Sequence, residues 1–87
     1  MEIPDDMIAV VCAIYKRCGY RASIHCHLPL EAVLSEFPPW LRGYYKKVLR
    51  KCVSKGLVYE KHHGKGRRSY GLTREGVRLA LAYCGQH

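Results

Sequence analysis

Ten of the fifteen lysine and arginine residues lie in one stretch: Arg42, Lys46, Lys47, Arg50, Lys51, Lys55, Lys61, Lys65, Arg67 and Arg68. One acid, Glu60, lies among them, so the stretch carries +9; the remainder, with five basic and six acidic residues, carries −1. Side chains of this type hold anions. A lysine ammonium acts as a point charge on a phosphate, and an arginine guanidinium makes two parallel hydrogen bonds to a phosphate or to the O6/N7 edge of guanine. A merely solvated surface mixes the two signs. Segregation into one third of a chain is the electrostatic footprint of a polyanion binder. A solubility device, or a patch for an acidic protein, is the alternative at this level.

Other reactive side chains form no comparable pattern. The five cysteines, Cys12, Cys18, Cys26, Cys52 and Cys84, show no Cys-x-x-Cys spacing. His25-Cys26-His27 is the one tight cluster of metal-ligand types, but adjacent residues of an extended chain point to opposite faces, and a structural zinc needs four convergent ligands. No metal and no cofactor is expected. Cys12 and Cys52 fall on apolar faces of predicted helices, where a free cysteine packs as a small hydrophobe. A disulfide is compatible with the intracellular proteins of hyperthermophiles, but the sequence names no pair. His62-His63 reads as polar loop. Enzymatic chemistry has no carrier: there is no glycine-rich phosphate loop, no His-Glu-x-x-His, and the seven acids are scattered.

The 87 residues suffice for one domain with a modest core. At 48% hydrophobic and 25% charged, the chain has the composition of a folded protein. No apolar run reaches the roughly 18 residues of a membrane span. The start, Met1-Glu2-Ile3-Pro4-Asp5-Asp6, is acidic where a signal peptide is basic. The expectation is a cytoplasmic protein with no membrane contact.

Periodicity supplies the elements that must position the cations. Asp5-Asp6 opens a helix whose apolar residues, Met7, Val10, Val11, Ile14 and Cys18, recur at helical spacing up to Gly19. An extended connector from Tyr20 to His27 leads to a short second helix, begun at Pro29, with Leu30, Val33, Leu34 and Phe37 as its stripe. Pro38-Pro39 ends it. A third helix is predicted from Pro39 to about Ser54, with Leu41, Tyr45, Val48, Leu49 and Cys52 inward and Gly43, Lys46, Lys47, Arg50 and Ser54 outward. Arg42 and Lys51 lie on its flanks, and Trp40 is expected to pack where the second and third helices meet. Gly56 closes this helix. Leu57–Tyr59 and Arg68–Leu72 are strand candidates joined through Gly64 and Gly66, a basic hairpin. Thr73 then caps a last helix, whose apolar face is Val77, Ala80, Leu81 and Cys84. Leu41, Val48, Leu49, Cys52, Leu57, Tyr70 and Leu72 are the expected core.

The run Val48-Leu49-Arg50-Lys51-Cys52-Val53-Ser54-Lys55-Gly56-Leu57-Val58-Tyr59, followed by Tyr70-Gly71-Leu72-Thr73-Arg74-Glu75-Gly76, resembles the winged helix-turn-helix family, in particular its MarR-like and PadR-like archaeal and bacterial members. The resemblance covers about Asp5 to Cys84. It implies an α+β fold: a three-helix core, a two-stranded β-hairpin wing and a C-terminal helix. Pro38-Pro39-Trp40 is an unusual lead into the recognition helix. The last helix is shorter than the terminal helices through which many such regulators dimerise, which leaves a homodimer open.

The function that the resemblance implies is binding of double-stranded DNA, sequence-specific or architectural, as in a transcriptional regulator. The recognition helix would offer Arg42, Tyr44, Lys46, Lys47, Arg50 and Lys51 to the major groove, with Arg42 and Arg50 on base edges and the lysines on phosphates. The wing would bring Lys65, Arg67 and Arg68 to an adjacent minor groove or the backbone. The alternative is an RNA, ribonucleoprotein or protein-interaction module. Stacking of bases on Tyr44, Tyr59 and Tyr70 would favour RNA.

Overall fold

A computed structural model describes residues 2–85; Met1, counted above in the acidic start, lies outside them. The first helix, α1 (Asp5–Arg17), has Asp5 and Asp6 at its positive end and Lys16 and Arg17 at its negative end, both favourable to the helix dipole. It buries Met7, Val10, Val11, Ala13, Ile14 and Tyr15. Strand β1 (His27–Pro29) runs directly into α2 (Leu30–Leu34). A 3-10 turn, Pro39–Leu41, leads into α3 (Arg42–Ser54). Strands β2 (Val58–His63) and β3 (Arg67–Leu72) follow, then α4 (Arg74–Tyr83). The architecture is α+β: four helices packed on a three-stranded antiparallel sheet of order β1-β3-β2.

Local chemistry accounts for the boundaries. Helices α1 and α3 end alike. Gly19 and Gly56 take left-handed φ values of 76° and 77°, and the next residue's N–H returns to the carbonyl five positions back (Tyr20 to Tyr15, 2.9 Å; Leu57 to Cys52, 3.0 Å). Thr73 caps α4, its Oγ1 accepting from the Gly76 N–H at 3.1 Å. The β2–β3 hairpin turns through Gly64, Lys65 and Gly66, all at positive φ. Both strands are longer than predicted. The ladder reaches His63↔Arg67, because cross-strand pairing overrides the weak strand propensity of the polar residues near the tip.

The core gathers Val10, Val11 and Ile14 of α1, Val33 of α2, Val48, Leu49 and Cys52 of α3, Leu57, and Val58, Tyr70 and Leu72 of the sheet. Of the seven expected core residues, Leu41 departs: it is 37% exposed. Trp40 departs furthest, at 81% exposed rather than packed between helices. Continued back from α3 at about 100° per residue, Trp40 falls on the same side as Lys47, about 80° from Val48 and about 120° from Cys52, and so outside the buried face. The second helix stops at Leu34, short of Phe37. Phe37 precedes two prolines and is turned out of the helix, and its ring stacks instead on Tyr45, centroids 3.9 Å apart.

Four of the five cysteines are paired, Cys12 with Cys84 and Cys18 with Cys26; Cys52 is free and buried. Cys12 is therefore not the free apolar cysteine its helix face suggested. No described helix is long and apolar enough to cross a membrane. Disulfides belong to oxidising compartments or to the interior of hyperthermophiles, so the cystine content lends no support to the cytoplasmic expectation.

Candidate functional site

Helix α3 rests its apolar side on α1 and on the sheet, and its cations form a graded arc on the other side. With Lys46 as origin, Arg50 lies about 40° round the helix, Lys47 about 100°, Lys51 about 140° and Tyr44 about 160°. The near edge of this arc faces the hairpin. Lys46, Leu49 and Arg50 of α3, Gly66, Arg67, Arg68 and Tyr70 of the hairpin, and Leu30 and Glu31 of α2 line one groove of about 250 Å3. Four basic residues from two elements thus line one depression, Arg68 from the face of β3 that carries Tyr70 and Arg67 from beside the turn.

The hairpin side of the groove is held by Glu60. Its carboxylate accepts the Tyr70 hydroxyl at 2.8 Å, lies 3.5 Å from Arg68 Nη1, and lies 3.3 Å from His62 Nε2. Burial, then the hydrogen bond to Glu60, raises the Tyr70 phenol above its ordinary pKa, with Arg68 opposing, so the hydroxyl stays a donor. On the outer face of the sheet, His63 Nε2 and Ser69 Oγ are 2.7 Å apart.

The far edge of the arc faces the start of α1. Tyr44 donates its hydroxyl to the Asp6 carboxylate, which holds the phenol above its usual pKa; the ring is 51% exposed. Lys51 borders a separate apolar cavity of about 390 Å3 together with Ile3, Pro4, Met7 and Leu57. Lys47 is exposed between the two edges, and Lys65 is exposed at the hairpin tip.

Arg42 stands apart from the other cations. It is partly buried, and its Nε donates to the carbonyl oxygens of Leu34 (3.0 Å) and Phe37 (3.1 Å). It therefore closes the C-terminal end of α2 and fixes the turn into α3. Of the nine residues singled out from the sequence, Lys46, Arg50, Arg67 and Arg68 share the groove. Lys47 and Lys65 flank it, Tyr44 and Lys51 lie on the opposite edge of α3, and Arg42 serves the helix junction. Glu31 was missed. It is an exposed acid of the first turn of α2, and only the tertiary packing of α2 against the hairpin brings it among the cations. Of the three tyrosines suited to stacking on bases, Tyr70 is buried and Tyr59, whose hydroxyl donates to the Ile24 carbonyl at 2.9 Å, is half-buried; Tyr44 alone is exposed.

Comparison with family models, with curated proteins and with solved structures finds no match to this chain.

Proposed function

We propose that this chain is a winged helix-turn-helix module that binds double-stranded DNA, sequence-specifically or as an architectural protein, with a role in transcription. In this reading α3 lies in the major groove and the β2–β3 hairpin reaches the adjacent minor groove or backbone. The observation that carries the reading is the shared groove: Lys46 and Arg50 of α3 converge with Arg67 and Arg68 of the hairpin. A lone basic helix is a common solvated face. Two cationic elements set across one depression suit a ligand with parallel rows of charge, which is what the two strands of a duplex present. The order helix, strand, helix, helix, hairpin, helix, and the sheet order β1-β3-β2, support the same reading.

Roles follow from position. Arg50 is the base-reading residue, since its guanidinium suits guanine O6 and N7. Lys46, Lys47, Lys65, Arg67 and Arg68 meet phosphates. Arg42 is a positioning residue for α3. Fluorescence anisotropy of a labelled random duplex at increasing salt tests the reading. With about five phosphates neutralised, log K falls against log salt with a slope of about −4.5. A binding constant that hardly changes between low and physiological salt would overturn it.

A further inference from the structure

Trp40 is the single tryptophan of the chain and, among the described residues, the most exposed large apolar side chain, at 81%. An indole left in water forgoes the burial that makes aromatic residues valuable, so its mounting matters. It does not sit on a slack loop. It is the middle residue of the 3-10 turn Pro39–Leu41, the two preceding prolines fix their own φ, and Arg42 fastens the segment to the carbonyls of Leu34 and Phe37. An exposed aromatic ring is thus held on rigid backbone, with little conformational freedom left to lose on contact.

Its position on the helix is equally definite. Trp40 heads the outward row that continues, one and two turns on, through Gly43 and Lys47, in the middle of the cationic arc. A Cβ at Gly43 would meet nothing within 4 Å, so the space beside the row is open. The ring is therefore continuous with the surface assigned above to duplex DNA, at the leading end of α3. The floor of the major groove offers an apolar side chain one apolar group, the C5-methyl of thymine.

We infer that Trp40 reads thymine through that methyl group, making this protein selective for A·T pairs at the base steps facing the head of α3. The inference rests on the DNA-binding reading. Its test uses a short alternating A·T duplex, and the same duplex with uracil in place of thymine, which deletes the methyl and nothing else. Anisotropy of the labelled duplexes should show binding about fourfold weaker for each contacted methyl removed. Trp40 emission should change when the thymine duplex is added. Trp40→Ala, at a solvent-exposed position, should keep salt-dependent binding and lose the thymine-over-uracil preference, and Trp40→Phe should restore part of it. Equal affinity for the two duplexes, or a preference that survives Trp40→Ala, overturns the inference and leaves DNA binding standing. Failure of every duplex to bind overturns both.

Discussion

Glu60 and Tyr70 face each other across the β2–β3 ladder, and the Tyr70 hydroxyl donates to the Glu60 carboxylate at 2.8 Å. The only acid in the basic third of the chain is therefore a component of the hairpin that restrains Arg68, not a stray counter-charge. Glu60→Gln keeps an acceptor for Tyr70 and releases Arg68. The fold should lose no more than about 1 kcal/mol, the scale of an exposed ion pair. Freed from that carboxylate, Arg68 should hold its phosphate more firmly, so duplex binding should tighten at each salt concentration while the salt slope stays nearly the same. Anisotropy at several salt concentrations, beside a denaturation curve, checks both; an unchanged affinity would show that Arg68 makes no such contact.

Arg42 and Arg50 are both arginines of α3, but they should fail differently. Arg42→Ala removes a charged donor from two carbonyls and should destabilise the protein by about 1.5–3 kcal/mol, measured by urea unfolding. Arg50→Ala should leave stability within about 0.5 kcal/mol. It should weaken binding to a selected target more than Lys65→Ala does, while the two variants lose similar affinity for random duplex. Comparable losses on both kinds of duplex would count against base reading by Arg50.

The bond between Cys12 and Cys84 spans 72 residues, and that between Cys18 and Cys26 spans 8. Loop-closure entropy assigns them about 4 and about 2.5 kcal/mol respectively. Cys84→Ser with Cys12→Ser should therefore lower the urea midpoint more than the corresponding change at Cys18 and Cys26. A reductant should bring the native protein below both variants. Identical unfolding curves in the presence and absence of reductant would show that neither bond is formed.

Cys52 lies fully within the core, and burial, reinforced by the charge of Asp6, pushes its thiol from 9.0 up to about 12. The folded chain thus keeps this proton where the unfolded chain loses it. The associated stability is complete below pH 9.0 and is lost progressively as pH rises from there toward about 12. Tyr59 and Tyr70, both raised chiefly by burial, act in the same direction at alkaline pH. Urea unfolding on either side of pH 9.0 should show the decline, and Cys52→Ala should make it shallower. With the disulfides intact, a thiol reagent should label one cysteine in denaturant and none in the native protein.

What could be read from the sequence was governed by rules that act within a few residues. Gly19 and Gly56 end their helices, Thr73 begins one, and Gly64 and Gly66 turn a hairpin, because each answers a local demand on φ or on an unpaired N–H. The apolar periods of α1 and α3 identified the core-facing residues Val10, Ile14, Val48 and Cys52 for the same reason. What escaped was set by contacts across the fold. The partner of Cys12 lies at the far end of the chain. Arg42 turns inward because the carbonyls of Leu34 and Phe37 end their turn beside it. Glu31 enters the groove only once α2 is seated against β3. Trp40 is a different case, since the helical period itself points it outward; its aromatic character suggested burial and its angular position did not.

Helix α4 is attached at both of its ends. At one, the Thr73 hydroxyl donates to the Gly56 carbonyl, the Thr73 N–H reaches the Leu57 carbonyl at 3.1 Å, and Gly76 passes so close that a Cβ there would fall 2.0 Å from the Leu57 oxygen. At the other, Cys84 is bonded to Cys12 of α1. It behaves as a beam pinned at either extremity, and its near pin is also the point where α3 hands over to the hairpin. Cutting the sulfur bond would leave a door hung on the Gly56–Leu57 peptide, and any swing of that door would pull on the hinge from which both basic elements are suspended.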